Sequence, residues 1–443
     1  MKKNKFNIAV VGLGNIGINL YKHLIQNKQN IEKRTNIVLN IKYVSARNKF
    51  KKRKVNIPKN KWLKNYLEAS KRKDIDIVIE LIGGSDGPAK KLIFNSIKNK
   101  KHVVTANKAL ISKHGNELSK LAEKNKVNLE FEAAVAGGVP IIRTIKEGLT
   151  TNTINKIYGI LNGTSNYILS KMSETKLNFK EVLENAKKLG YAESNPKSDL
   201  NGDDAKSKIQ ILSSLAFNSF INKSKITVEG IQGIDQVDIT NAKLLGYKIK
   251  HLAIAEIKKN KLVQRVHPCM INENSYISNI NGVLNAVIIE GKPIGKFTIQ
   301  GEGAGPGPTT SALVSDICSI LRGNIKFPFS VSDKNRKKIR SLDISEDFFS
   351  SYIRLDVTDK TGVLSSITKI LSKNKISVKR LIQNPFKSKK FASIIIISHK
   401  AKNSNLVKSI SELANKKFVI NKPKFFRIEE IWPKLIQSYL INF

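Results

Sequence analysis

The sequence predicts an α/β protein in three parts, and three observations carry that prediction. An apolar run, FNIAVVGLG, ends in glycines and passes at once into INLYKHLIQ, whose apolar residues have helical spacing. Strand-like and helix-like segments then alternate as far as about residue 330. Beyond the charged stretch SDKNRKKIRS, the segments YIRLDVTD, VLSSITKILSK, ISVKRLIQ, ASIIIISH, LVKSISELA and VINKPKFFRIE give β-α-β-β-α-β spacing, a compact ferredoxin-like pattern. A chain of 443 residues exceeds what one core organises, so division is expected. The pattern divides it into 1–132, 133–330, a linker at 331–349, a module at 350–430 and a tail at 431–443.

The first part is justified by its glycines. FNIAVVGLG and IVLNIKYVSAR are strands around one helix, and Gly12, Gly14 and Gly17 form GxGxxG between the first strand and that helix. This is the Rossmann-type βαβ unit, with Asn15 and Ile16 on the turn and a pyrophosphate expected at the helix N-terminus. An NAD-preferring site carries Asp or Glu at the end of the second strand; here Ala46 and Arg47 stand there, ahead of a lysine-rich loop. NADPH is therefore the expected cofactor, with Arg47 on the 2′-phosphate; a solvated strand-end charge is the alternative role. DIDIVIELIGG is a further buried strand, and KHVVTANKAL delivers Thr105, Asn107 and Lys108 to the same carboxyl edge. LEFEAAVAGGVPII reads as another strand ending in a turn rich in small residues.

The middle part holds the segment with the most chemistry. GYAESNPKSDLNGDDAKSK gathers Glu193, Asp199, Asp204 and Lys208 where an apolar helix begins near Gly202. Asp204 and Lys208 are four apart, so their Cβ atoms lie about 5–6 Å from each other on one helix face. A carboxylate beside an ammonium can hold an amino-acid substrate; a surface pair contributing a few tenths of a kcal/mol is the plain alternative. Helices at 182–189 and 209–217 and strands in LAIAEIKK, LVQRVHP and LNAVIIEG predict a sheet covered by helices. His267, beside an otherwise apolar strand, reads as structural.

Composition excludes several function classes. The 78 basic and 35 acidic residues give a net charge of +43, yet the lysines are spread along the chain among Asn and Ile and do not interleave with aromatics. No nucleic-acid partner is expected. No apolar run approaches the roughly 18 residues of a membrane span, and the lysines before FNIAVV precede a strand and not a secretory signal. Cys269 and Cys318 lack ligand spacing, so neither a disulfide framework nor a zinc site is indicated, and a cytoplasmic location fits.

The succession VVGLGNIG, VIELIGG, KHVVTANKAL, FEAAVAGGVPII, ILNGTSNYIL, GYAESNPKSDLNGDDAKSK, VHP and GEGAGPGPTTSALVSDI, covering residues 7 to about 320, closely resembles homoserine dehydrogenase. The resemblance implies reduction of aspartate semialdehyde to homoserine with NAD(P)H, on the branch to threonine, isoleucine and methionine. It implies Lys208 as the catalytic lysine, assisted by Lys108, which with Thr105 also touches the cofactor. Glu193, Asp204 and Asp199 are implied around the substrate, with Gly163, Thr164 and Asn166 lining its pocket. A structural sodium ion is implied at Glu132, Val135, Gly137 and Val139. Gly305 is implied at the cofactor, residues 300–322 folding back onto the first domain. Ser207 departs from the pattern, standing where a histidine is frequent.

The C-terminal module resembles the ACT regulatory domain. DKTGVL at 359–364 and Gln383 match ligand-facing places, with Thr361 in place of the common proline. Threonine is the expected effector; a purely structural dimerisation module is the alternative. A homodimer or homotetramer is expected, and monofunctional activity, since the chain opens at the cofactor strand. Another NADP-dependent oxidoreductase acting on an amino-acid-like substrate, and a noncatalytic sensor, are the competing readings.

Overall fold

Two sheets organise the chain, and the computed structural model describes residues 4–224, 226–323, 326–385 and 390–431. Of the expected tail, residues 432–443 lie outside the described residues. Strands β1 (Lys5–Val11), β2 (Val38–Ser45), β3 (Ile77–Glu80), β4 (His102–Thr105) and β5 (Leu129–Glu130) are parallel and ordered β2-β1-β3-β4-β5. Every residue of β3 is buried, as a strand covered on both faces requires. The order reverses between β1 and β3, so their carboxyl ends frame the crevice in which such sheets bind ligands. The Pro306–Leu321 helix returns to this unit from far along the chain. Its Leu313, Ile317 and Ile320 pack with Leu20, Tyr21 and Leu24 of the Asn15–Gln26 helix, and Thr310 Oγ1 donates to Asn19 Oδ1 at 2.8 Å.

The second sheet joins β6 (Thr153–Ile160), β7 (Thr227–Val228), β8 (Tyr247–Lys258), β9 (Lys261–Asn272), β10 (Leu284–Lys292) and β11 (Gly295–Glu302) to β12 (Phe348–Thr358), β13 (Val378–Pro385), β14 (Phe391–Ser398), β15 (Ala401–Lys402) and β16 (Lys424–Ile428). Its main path runs β11-β10-β6-β8-β9-β16-β12-β14-β13. The Asp203–Ala216 helix lies on this sheet, with Ile209, Leu212 and Leu215 in one core with Ala253, Val266 and Val287.

The C-terminal module is not set apart by its linker. β16 pairs in parallel with β9, Arg427 opposite Cys269 and Ile428 opposite Met270, so one sheet runs through both parts. The charged stretch is docked as well: Arg336 is buried with its guanidinium over the rings of Phe329 and Phe220, and the Lys337 N–H donates to Asn218 O. Charge density signals solvation only when the groups have no partners, and here aromatic faces and carbonyls supply them.

Local boundaries moved where polar residues open an element. The helix expected at 182–189 is Phe179–Lys188, opened by a capping box between Asn178 and Glu181. The helix expected to begin near Gly202 starts at Asp203, ahead of its apolar stretch at 209–217, because its first turn carries carboxylates suited to a helix N-terminus. The strand expected in LEFEAAVAGG stops after Glu130 and becomes a single 3₁₀ turn at Glu132–Ala134.

Candidate active site

Geometry at the first glycine turn is set by contacts that no side chain could share. Gly12 has φ +108°, and a Cβ there would lie 2.3 Å from Leu81 O; one at Gly17 would lie 2.0 Å from Gly12 O. Gly14, by contrast, faces open space. It precedes the Asn15–Gln26 helix, whose N-terminus receives no side-chain cap, leaving the first N–H groups of that helix pointing into the opening. An uncapped helix end behind a glycine with nothing before it fits a pyrophosphate, so a dinucleotide suits the residues present. Arg47 is exposed just past β2. Arg53 folds the following loop onto the turn: its guanidinium donates to Leu13 O at 3.4 Å and Asn48 O at 2.6 Å and lies over Trp62.

Carboxyl ends of β3 and β4 are tied together by Glu80, which is fully buried. Its Oε1 accepts the N–H groups of Ile82 and Gly83 at 2.7 and 3.0 Å, and its Oε2 accepts the Thr105 hydroxyl at 2.6 Å. Thr105 Oγ1 in turn accepts the Asn107 N–H, and Asn107 donates to Gly84 O while capping the Lys108–Asn125 helix. The hydrogen-bonded chain Glu80–Thr105–Asn107–Gly84 thus fixes where Lys108 leaves the sheet edge.

Asp204 is the centre on which both parts converge. Its Oδ1 lies 2.8 Å from Lys108 Nζ, and its Oδ2 lies 2.7 Å from Lys208 Nζ. Lys108 comes from the first sheet's edge, Asp204 and Lys208 from the helix on the second. Asn162 donates to Asp199 Oδ1 at 2.8 Å and to Asp204 Oδ2 at 2.9 Å, and its own carbonyl oxygen caps the Gly163–Glu174 helix. Lys208 also donates to Leu161 O at 2.6 Å. Thr164 donates to Tyr191 O, and Ser165 Oγ to Asp199 O, which pins the 191–199 segment above the cluster. Glu193 is exposed on that segment.

The two lysines differ electrostatically. Burial and the neighbouring Lys108 charge together outweigh Asp204 and hold the Lys208 ammonium below its ordinary range. Burial also opposes the charged form of Lys108, but Asp204, with Asp199 and Glu193 behind it, outweighs this and holds Lys108 above. Lys108 keeps 43% of its side chain exposed against 9% for Lys208. Asp204 stays ionised despite its burial because two ammonium groups face it, whereas burial raises Asp199. A lysine of lowered proton affinity, a lysine held as a cation and a buried carboxylate bonded to both therefore sit side by side.

The family model described as homoserine dehydrogenase matches residues 140–318; homoserine dehydrogenase, NAD binding domain, matches 12–132; and ACT domain matches 351–416. A homoserine dehydrogenase of Neisseria gonorrhoeae is 38% identical over 413 residues, 92% of this chain and 94% of that one. The chain belongs to the homoserine dehydrogenase family. A relative of the same name from Helicobacter pylori is 37% identical over 430 residues, 96% of this chain and 100% of that one. The crystal structure of a homoserine dehydrogenase from Thiobacillus denitrificans, 34% identical, superposes with a TM-score of 0.90 over 98% of this chain and 100% of that one. A homoserine dehydrogenase is an NAD(P)-dependent oxidoreductase, and the chain carries its dinucleotide-binding, catalytic and ACT parts. No helix among the described residues is long and apolar enough to cross a membrane.

Some expected residues lie elsewhere or have other partners. Asn166 is buried, and its partners are other than Lys108 and Lys208: its amide nitrogen donates to the carbonyls of Ile280, Gly282 and Leu284, and its oxygen accepts from Lys250. Gly163 lies where a Cβ would meet Val283 O at 2.7 Å. Gly305, at φ +116°, opens the Pro306–Leu321 helix in a loop held against Gly137, where a Cβ would meet Gly303 O at 2.5 Å. Glu132 is buried, and its two oxygens accept the N–H groups of Ile142 and Arg143 at 2.8 and 2.7 Å, while burial raises it to about 7. The Val139 carbonyl accepts the Ile141 N–H at 2.8 Å. Val135 and Gly137 lie on the same turn, between the 3₁₀ turn and Ile141. At the ACT module Gln383 donates to Asp359 at 3.2 Å.

Three residues that organise this site escape sequence reasoning. Glu80 and Arg53 lay in view, one at the end of a strand and one inside a basic run, where charge alone carried no position. Asn162 stood one residue before the expected Gly163; the Asn-Gly-Thr-Ser order, an N-cap signature, was the signal that pointed to it.

Proposed function

We propose that this enzyme reduces L-aspartate 4-semialdehyde to L-homoserine with NADPH, using Lys208 as the proton donor. The observation that supports this most is the pair of lysines on opposite oxygens of one buried aspartate with their proton affinities pushed apart. Such divergence suits one lysine to proton donation and the other to a fixed charge. A bound nicotinamide dinucleotide supplies hydride to the aldehyde carbon. Lys208 transfers a proton from Nζ to the aldehyde oxygen as that oxygen becomes an alkoxide, and the ammonium of Lys108 offsets the growing negative charge. Glu193, Asp199 and the Asp204 edge take the substrate ammonium, with Gly163 and Thr164 bordering it and the amide of Asn166 bracing the pocket wall. Gly12, Gly14, Asn15, Ile16, Gly17, Thr105 and Gly305 hold the dinucleotide.

Preference for NADPH rests on Arg47, exposed at the end of β2 with no carboxylate at Ser45 or Ala46 beside it. Arg47→Glu is expected to cut kcat/KM for NADPH by about tenfold to a hundredfold, the range of a lost charge-assisted hydrogen bond, while NADH turnover holds or rises. An unchanged NADPH to NADH ratio would remove Arg47 from this role.

Two further ligands belong to this reading. Threonine acts at the Asp359 and Gln383 end of the ACT module, and sodium binds structurally at Glu132, Val135, Gly137 and Val139. The geometry limits the second: Glu132 and the Val139 carbonyl already accept N–H groups, so the ion shares those oxygens. One melting experiment reads both. Threonine raises Tm and lowers turnover in the wild type but not in Asp359→Ala/Gln383→Ala, and NaCl raises Tm above choline chloride at equal ionic strength. Absence of either shift removes that ligand. The protein works in the cytoplasm as a homodimer or homotetramer, a state that sedimentation decides.

A further inference from the structure

Lysine is the default cation of this chain: of its 78 basic residues, 66 are lysine and 12 arginine. One cleft of about 490 Å³ breaks that rule, because Arg34, Arg143 and Arg322 line it with His23 and no lysine does. It lies among the Asn15–Gln26, Lys28–Thr35 and Pro306–Leu321 helices. His23 is eight residues beyond Asn15, a rise of about 12 Å, so the cleft is separate from the uncapped helix end at Gly14.

Arg143 is already oriented there. Its Nη1 donates to Ser315 Oγ at 2.6 Å and its Nη2 to Ser315 O at 3.1 Å, with Asp316 at 3.6 Å and Glu147 at 3.9 Å as its carboxylates. Arg34 and Arg322 are exposed and meet no carboxylate among the described residues. A lysine would supply the same charge. What arginine adds is a planar fork of donors matched to two oxygens of a phosphate or carboxylate.

We propose that this cleft binds a small polyanionic metabolite whose phosphate or carboxylate oxygens are forked by Arg34, Arg143 and Arg322. Its volume is that of a small-ligand site. Occupancy bears on the enzyme through Arg143: that residue's N–H is held by Glu132, and the Glu132 N–H by Asp316 at 2.9 Å, so the anion grips the turn between the two sheets.

The test is calorimetric titration of the whole protein with pyrophosphate, and with citrate as its carboxylate counterpart, at low ionic strength and saturating nicotinamide dinucleotide to fill the cofactor site. One saturable site per chain for either probe is expected. Arg34→Gln/Arg322→Gln weakens it at least about tenfold, and Arg34→Lys/Arg322→Lys weakens it nearly as far at unchanged charge. Lys22→Gln/Lys33→Gln, on the same helices but outside the cleft, leaves it within about twofold. No saturable binding, equal weakening by the lysine pair, or full binding in the arginine-to-lysine variant would each overturn the proposal.

Discussion

Replacing Lys208 with Met is expected to lower kcat by about a hundredfold to ten-thousandfold while the dissociation constant of NADPH stays within about twofold of wild type. The side chain is 9% exposed and reaches a carbonyl and a carboxylate, and methionine fills similar space without a donor. Near-ultraviolet circular dichroism and Tm check that the fold survives. The pH profile carries the sharper statement. Reduction needs Lys208 protonated, so turnover falls as pH rises through its pKa, which burial and Lys108 hold below the ordinary lysine value. Asp204 opposes that depression, so Asp204→Asn moves the falling limb to still lower pH. An alkaline limb unmoved by Asp204→Asn would separate Lys208 from proton transfer, whatever the loss in rate.

Legibility in the sequence followed the range of the interaction. The Gly12 turn could be read because all its constraints are local: a strand, three glycines and a helix lie within a short stretch, and the clash at Gly17 is with Gly12 itself. Lys208 and Asp204 were readable as a pair for the same reason, four residues apart on one helix. That Lys108 would reach the other oxygen of Asp204 was not readable by spacing, since 96 residues separate them and only the packing of the two sheets brings them together. Resemblance placed Lys108 at the same centre without giving this contact. Nothing in the composition around Arg336 or Arg427 announced burial, because sequence shows a charge and not its partner.

Arg265→Met is expected to cost about 3–5 kcal/mol in the first unfolding transition, read by urea denaturation. Arg265 is 1% exposed and holds Glu429 bidentately at 2.7 and 2.9 Å and Glu256 at 2.6 Å; His267 adds a contact to Glu429 at 3.1 Å. Glu429 follows β16 and Arg265 lies on β9, so this buried network crosses the seam where the ACT module joins the catalytic sheet. Arginine removed alone leaves Glu429 without its main counter-charge in a place where burial opposes ionisation and Arg265, helped by His267, holds it ionised. Removing both charges is another matter. Arg265→Met/Glu429→Leu replaces the pair with apolar groups and leaves Glu256 to Lys258 at 3.2 Å, and most of the loss is expected to return, since buried ion pairs contribute little over well-packed isosteres. A single variant that costs under about 1 kcal/mol would mean that the backbone pairing of β9 and β16 holds the module without the charges. A double variant no better than the single would mean that packing and the charged contacts to Glu256 and His267 fail together, and that the network acts as one unit.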